Sequence, residues 1–193
     1  MIHISSTNRG SKRIDKDFYA TPIPVIRDFL QHYKIKEGNI LEPTAGNGNI
    51  VKTIRECGYY NHITAVELRN IEKQTLKDSG ASEVYIKDFL NFIPTREYKT
   101  IITNPPFSIA RNVIEKCFEI ASVDTEIIML LRIGFHGTQH RYDFWQEHPL
   151  DKQWTLACRP SFTGGGNDSS EYAWFIWDNS GIKEIKTIWG RKE

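Results

Sequence analysis

Cysteine, long apolar runs and a charge excess of either sign are all scarce in this chain. Three cysteines in 193 residues, Cys57, Cys117 and Cys158, are too few and too scattered for a disulfide framework. They read as reduced thiols in a cytoplasm, each in an apolar context and expected to pack as a small buried hydrophobe. The chain contains neither a C-x-x-C pair nor a mixed Cys/His set, and no metal is expected. No apolar run approaches the roughly 20 residues of a membrane-spanning helix. The opening stretch, MIHISSTNRGSKRIDKD, lacks the apolar centre of a secretory signal. With 25 basic and 24 acidic residues, the charge neither demands nor excludes a nucleic acid, and any polyanion site would have to be a local patch.

What remains is an ordinary globular composition, 39% hydrophobic and 25% charged, at a length that suits one domain with a real core. Residues 1–14 are polar and expected to be flexible. TPIPVIRDFLQHY reads as a helix, with Thr21 as its cap, Pro22 in its first position and Val25, Ile26, Phe29, Leu30 and Tyr33 at helical spacing. GNILEP reads as a buried strand, followed by a glycine-rich turn and a helix carrying Ile50, Val51, Ile54 and Cys57, closed by Gly58. HITAVEL, EVYIKDF, YKTIIT and TEIIMLLR read as four further strands, with NIEKQTLKDSG helical between the first two. Ser108 is placed to cap the cleanest amphipathic helix, built on Ile109, Ala110, Val113, Ile114, Cys117, Phe118 and Ala121. FHGTQHRYDFWQEHP reads as partly helical, and QWTLACR and YAWFIWD as a last antiparallel pair joined by a polar loop. This alternation predicts a doubly wound α/β fold with a mostly parallel, seven-stranded sheet and an antiparallel C-terminal strand pair.

In such sheets ligands sit outside the carboxyl ends of the strands. The first strand ends in Glu42-Pro43-Thr44-Ala45-Gly46-Asn47-Gly48, where glycines permit close backbone approach and an acid suits a cationic group better than a pyrophosphate. Read alone, it is also a plain strand-to-helix turn. The second strand ends in Glu67-Leu68, and a carboxylate at that place can hold ribose hydroxyls. The third ends in Asp88-Phe89, an acceptor beside a flat apolar face, which suits an adenine ring. The fourth ends in Asn104-Pro105-Pro106-Phe107, where two prolines stop the strand and remove two backbone donors.

With these four strand ends assembled, the chain resembles the S-adenosylmethionine-dependent amino-methyltransferases, and within them the adenine-N6 DNA methyltransferases. Asn104-Pro105-Pro106-Phe107 matches the family's catalytic tetrapeptide, EPTAGNG its cofactor turn, and DFYATP (17–22) its upstream segment. The resemblance covers approximately residues 15–178 and has the γ motif order, in the manner of small phage or prophage members. It implies a Rossmann-like methyltransferase fold that uses S-adenosyl-L-methionine as cofactor. It places Tyr19, Thr21, Pro22, Glu42, Pro43, Ala45, Gly46, Gly48, Glu67, Leu68, Asp88, Phe89 and Asn104 around that cofactor. Residues 15–193 would form one methyltransferase domain, with no stretch left for a separate target-recognition domain.

The adenine amine is a poor nucleophile because its lone pair is delocalised into the ring. The side-chain oxygen of Asn104 and the carbonyl of Pro105 could accept its two N–H bonds while Phe107 stacks on the base, which must be flipped or single-stranded. Tyr19, Phe135 and Phe162 are further candidate aromatics near the pocket. Arg111, Arg132, His136, His140, Arg141 and Arg159 are candidate phosphate contacts. DNA is the expected partner and the cytoplasm of a bacterial or phage-infected cell the expected location, with the protein a monomer or homodimer. RNA bases and protein glutamine are rival methyl acceptors, and a non-catalytic DNA-binding protein on the same fold is a rival of another class.

Overall fold

β-Strand Glu126–Arg132 (β5) shows how this chain builds its core. Ile128 and Leu130 pack into one apolar cluster, while Ile127, Met129 and Leu131 pack into another on the opposite face. A strand apolar on both faces must be covered on both, and helices supply the cover. The computed structural model describes residues 19–162 and 168–190. It contains strands Ile40–Glu42 (β1), Ile63–Glu67 (β2), Glu83–Ile86 (β3), Thr100–Thr103 (β4), β5, Lys152–Leu156 (β6), Tyr172–Trp177 (β7) and Glu184–Ile188 (β8). Helices are Ile23–His32 (α1), Asn49–Glu56 (α2), Lys73–Asp78 (α3), Ala110–Ile120 (α4) and Tyr142–Glu147 (α5).

The strands form one sheet in the order β3-β2-β1-β4-β5-β7-β6-β8. Only β7 runs against the others: it pairs antiparallel with β5 and β6, whereas β6 and β8 pair parallel. Apolar residues of α1, α2 and α3 cover one face, among them Phe29, Ile54 and Leu76. Those of α4 and α5, among them Val113, Ile114 and Phe144, cover the other. The doubly wound, mostly parallel sheet and the antiparallel β6–β7 pair are as expected, but the sheet has eight strands, because β8 extends it beyond β6.

Two expected helix caps are absent. The cap position of α1 is Pro22, with no side-chain bond, so Thr21 does not serve that helix. Ser108 lies within a single 3-10 turn, Phe107–Ile109, and α4 starts only at Ala110. The cysteines also divide: Cys117 is buried, but Cys57 is exposed and Cys158 half-buried. Cys57 follows the last residue of α2, where the helix ends and its apolar stripe leaves the sheet. The N-terminal segment expected to be flexible, and Asp17 and Phe18 of the upstream motif, lie outside the described residues. Among the described residues, no helix is long and apolar enough to cross a membrane.

β1 lies between β2 and β4, so the chain crosses to the other side of the sheet there, and the carboxyl ends of β1 and β4 open side by side. That crossing brings Glu42 and Asn104 to one crevice.

Candidate active site

The crevice is lined by Glu42, Thr44, Ala45, Gly46 and Asn47 on one side and by Tyr19, Ala20, Thr21 and Asn104 on the other. The glycine turn is built for close approach. Gly46 and Gly48 have φ of 54° and 79°, in the left-handed region that side chains resist. A Cβ on Gly48 would also stand 2.8 Å from Ser79, the residue that ends α3. Three bonds fix the turn: Ala45 N–H donates to Val66 O at 2.9 Å, Gly46 N–H to Glu67 Oε2 at 2.8 Å, and the hydroxyls of Thr44 and Thr103 meet at 2.7 Å. The turn is thereby tied to both β2 and β4.

Two buried acceptors in the crevice are unanswered. Glu42 is 2% exposed, and its Oε2 has no hydrogen-bond partner among the described residues. Burial pushes its carboxyl well above the usual carboxylate range. A hydrogen bond from the Val51 backbone opposes that rise, and nearby Glu67 adds to it. Asn104 Oδ1 is likewise buried without a partner. The Nδ2 of the same carboxamide donates to Thr21 Oγ1 at 3.1 Å and to Tyr19 O at 3.4 Å. Buried acceptors are normally satisfied, so a pair left open in one crevice marks a place built for donors from elsewhere.

Along the adjoining edge, Glu67 is buried and more engaged than its sequence position suggests. Oε2 takes the Gly46 N–H, and Oε1 takes Arg69 N–H at 2.8 Å and Arg69 Nε at 3.2 Å. Leu68 beside it is 53% exposed, an apolar side chain left at the rim. Asp88 accepts the Leu90 N–H through Oδ1 at 2.9 Å. Phe89 is 4% exposed and packs with Phe92 in the core beneath the edge. Its ring therefore offers no free face in this structure.

Phe107 belongs to an aromatic group. Tyr19 stacks on it with ring centres 5.6 Å apart, Phe162 meets it edge-on at 6.3 Å, and Tyr172 lies at 5.8 Å. The Arg132 guanidinium sits 4.2 Å from the Phe107 ring centre, and Arg132 Nε donates to Tyr172 Oη at 3.0 Å. Tyr172 Oη in turn donates to Asp168 at 2.9 Å. Tyr172 is fully buried and went unnoticed in the sequence, where YAWFIW reads as a core strand. The antiparallel pairing that sets Tyr172 opposite Arg132 creates the contact.

Beside this group opens a cavity of about 460 Å³, lined among others by Phe107, Arg132, Phe135, Arg141 and Ser170. Of the six candidate phosphate contacts, Arg132 and Arg141 line it; Arg111, His136, His140 and Arg159 lie outside. Phe135 lines it too, but is buried against Phe144, with Arg141 over its ring. Arg111 pairs with Glu115 and reaches His140 O, Arg159 pairs with Glu171, and His136 shares a hydrogen bond with Gln153. His136 and His140 stand four apart, but the chain between them turns out of any common helix. Among the described residues, no three His, Cys, Asp or Glu side chains converge as a metal site.

No family model matches the chain. A curated relative, the Type II methyltransferase M.CvrRI of Paramecium bursaria Chlorella virus XZ-6E, is 30% identical over 98 residues. The match takes in 50% of this chain but only 26% of that protein. Among solved structures, a candidate class I S-adenosylmethionine-dependent methyltransferase from Listeria monocytogenes superposes with a TM-score of 0.66 at 14% identity, covering 90% of this chain and 67% of the other. A candidate RNA methyltransferase from Pyrococcus horikoshii gives 0.64 at 18% identity, covering 90% and 94%. The fold is that of the S-adenosylmethionine-dependent methyltransferases.

Proposed function

We propose that this chain transfers a methyl group from S-adenosylmethionine to the exocyclic N6 amine of an adenine in DNA, presented flipped out of a duplex or in a single strand. The observation that carries the reading is the open Oδ1 of Asn104, held in an Asn-Pro-Pro-Phe loop beside a crevice with a second open acceptor on Glu42. The two acceptors fit the two ligands this reaction needs. Glu42 suits the ammonium of an amino-acid-like cofactor, since a cation restores the ionisation that burial suppresses. Glu67, Leu68 and Asp88 continue along the same edge and suit a ribose and an adenine ring. When bound, the cofactor supplies an electrophilic methyl on a positively charged sulfur.

The protein's own part is positioning. Asn104 Oδ1 accepts one N–H of the amine, and the Pro105 carbonyl accepts the other. Both bonds favour a tetrahedral nitrogen with its lone pair localised toward the methyl group. The new nitrogen–carbon bond forms as the carbon–sulfur bond breaks, its electron pair returns to sulfur, and the surplus proton leaves to solvent. A neutral carboxamide is no strong base, and the amine needs none before transfer. Phe107 stacks on the base, and the 460 Å³ cavity with Arg132 and Arg141 takes the adjoining sugar-phosphate. Residues 15–193 act as one transfer unit in a reduced cytoplasm, with sequence discrimination coming from the short segments that follow β4 and β5, from a partner or from dimerisation.

RNA is the second reading, supported by the likeness to the Pyrococcus protein. The purified protein with methyl-labelled cofactor should label adenine in DNA more than in ribosomal RNA or in a glutamine-containing peptide. Asn104→Ala should lower the rate about 100- to 1,000-fold. Labelling of RNA alone transfers the reading to RNA. Cofactor binding with no transfer to any of the three, unchanged by Asn104→Ala, turns it into a non-catalytic nucleic-acid binder.

A further inference from the structure

Thr21 is 5% exposed and contributes no hydrogen bond to the helix it precedes. A buried hydroxyl excused from capping needs another use, and its partner is the Asn104 carboxamide at 3.1 Å. That carboxamide has two orientations, half a turn apart about its last side-chain bond. The Tyr19 carbonyl, 3.4 Å from Nδ2, chooses between them, because a carbonyl can only accept. Flipping the amide would set oxygen against oxygen at Tyr19 and turn an N–H toward the crevice. In the observed orientation both N–H bonds are spent on the Tyr19–Thr21 segment, and Oδ1 alone faces the site. The segment is itself held from the cofactor-turn side: Asn49, the first residue of α2, donates through Nδ2 to Thr21 O at 2.8 Å.

We propose that Thr21 is a positioning residue that locks the Asn104 carboxamide with its oxygen toward the methyl acceptor, and that Asn49 anchors Thr21 in turn. This rests on the methyl-transfer reading above and adds a role distinct from contact with the cofactor. A Thr21 that served the cofactor alone would matter for affinity; a Thr21 that orients Asn104 matters for the rate once both ligands are bound.

Thr21→Val keeps the shape and removes the acceptor. At saturating cofactor its single-turnover transfer rate should fall about 10- to 100-fold, while cofactor affinity moves by less than about threefold. Thr21→Ser, which keeps the hydroxyl, should recover the rate to within about threefold of the starting protein. A second readout does not depend on turnover. In protein labelled with ¹⁵N at asparagine, the Asn104 side-chain amide signal is identified by its loss in Asn104→Ala. It should exchange slowly with solvent, lose that protection in Thr21→Val and keep it in Thr21→Ser. If the protein methylates nothing, the functional reading fails, yet a protected amide that depends on Thr21 still upholds the lock. The lock is overturned if Thr21→Val leaves the amide signal unchanged, or if it weakens cofactor binding while sparing the saturated rate. Should Thr21→Val fold poorly, Thr21→Ala carries the same comparison.

Discussion

At the scale of single residues, Glu42 sets stability against the function proposed for it. Its carboxyl is buried with one oxygen unanswered, and burial raises its pKa in the folded state. In the unfolded chain a glutamate titrates near 4.3. Between that value and the raised native one, the native state holds more protons than the unfolded state. The stability this residue contributes is therefore fully present below the unfolded pKa and is lost as pH rises through the window. Glu42→Gln removes the titration. The cofactor-free protein should gain ~1–2 kcal/mol at pH 7.5, a rise of about 3–6 °C in Tm, and little or nothing at pH 4.5. The same change should weaken S-adenosylmethionine binding at least about tenfold, because a carboxamide cannot pair with an ammonium. Thermal melts at the two pH values, with a cofactor titration, test both halves. An equal gain at both pH values would show that the carboxylate is not the strained group. The sequence suggested the acid at the end of β1 as a cation's partner; its orphaned oxygen was not legible there, since burial and missing partners belong to the packed state.

At the scale of elements, β8 shows why one strand escaped a reading that found seven. Its pattern is the inverse of the usual one: Glu184, Lys186 and Ile188 turn inward while Ile185 is 86% exposed. The inward polar residues cover Trp154, since Trp154 Nε1 donates to Glu184 at 3.0 Å and the Lys186 ammonium lies 3.8 Å from the indole ring centre. Alternation of EIKTI therefore points the wrong face at the core, and only the tryptophan on the neighbouring strand explains the arrangement. Ile188→Ala should cost ~2–4 kcal/mol, since that side chain is 4% exposed within the larger apolar cluster. Ile185→Lys should change stability by no more than ~0.5 kcal/mol, and it adds a charge to an open sheet edge. Urea unfolding of both variants decides it: a large loss in Ile185→Lys would mean that the exposed edge is covered in solution. The missed caps have a similar origin. Thr21 and Ser108 have the right chemistry to start helices, but the crevice claims the first and an extra 3-10 turn displaces the second.

At the scale of the whole molecule, the strand–helix alternation made the sheet legible because each buried strand demands cover on both faces and short links force a regular winding. The crossing between β1 and β4 then places the Asn-Pro-Pro-Phe loop beside the glycine turn after β1. Charge at that edge was less legible, since sequence shows cations but not their partners. Four arginines are candidates from the sequence for phosphate contacts, and each is already engaged. Arg111 pairs with Glu115, Arg132 with Asp168 and Arg159 with Glu171, while Arg141 donates to Phe135 O. With a net charge of only +1, little long-range attraction adds to them. Binding through these four exchanges internal partners for phosphates, so together they supply about four counterion-releasing contacts. The slope of log Kobs against log salt should then be no steeper than about −4 on duplex and about −3 on single strands. Arg132→Met should reduce its magnitude by about 1. Arg132 is the sharpest probe of the four, because it must leave both the Phe107 ring and Asp168 to reach a phosphate. A slope beyond about −5, insensitive to Arg132→Met, would place the nucleic acid on cations other than these and away from the 460 Å³ cavity.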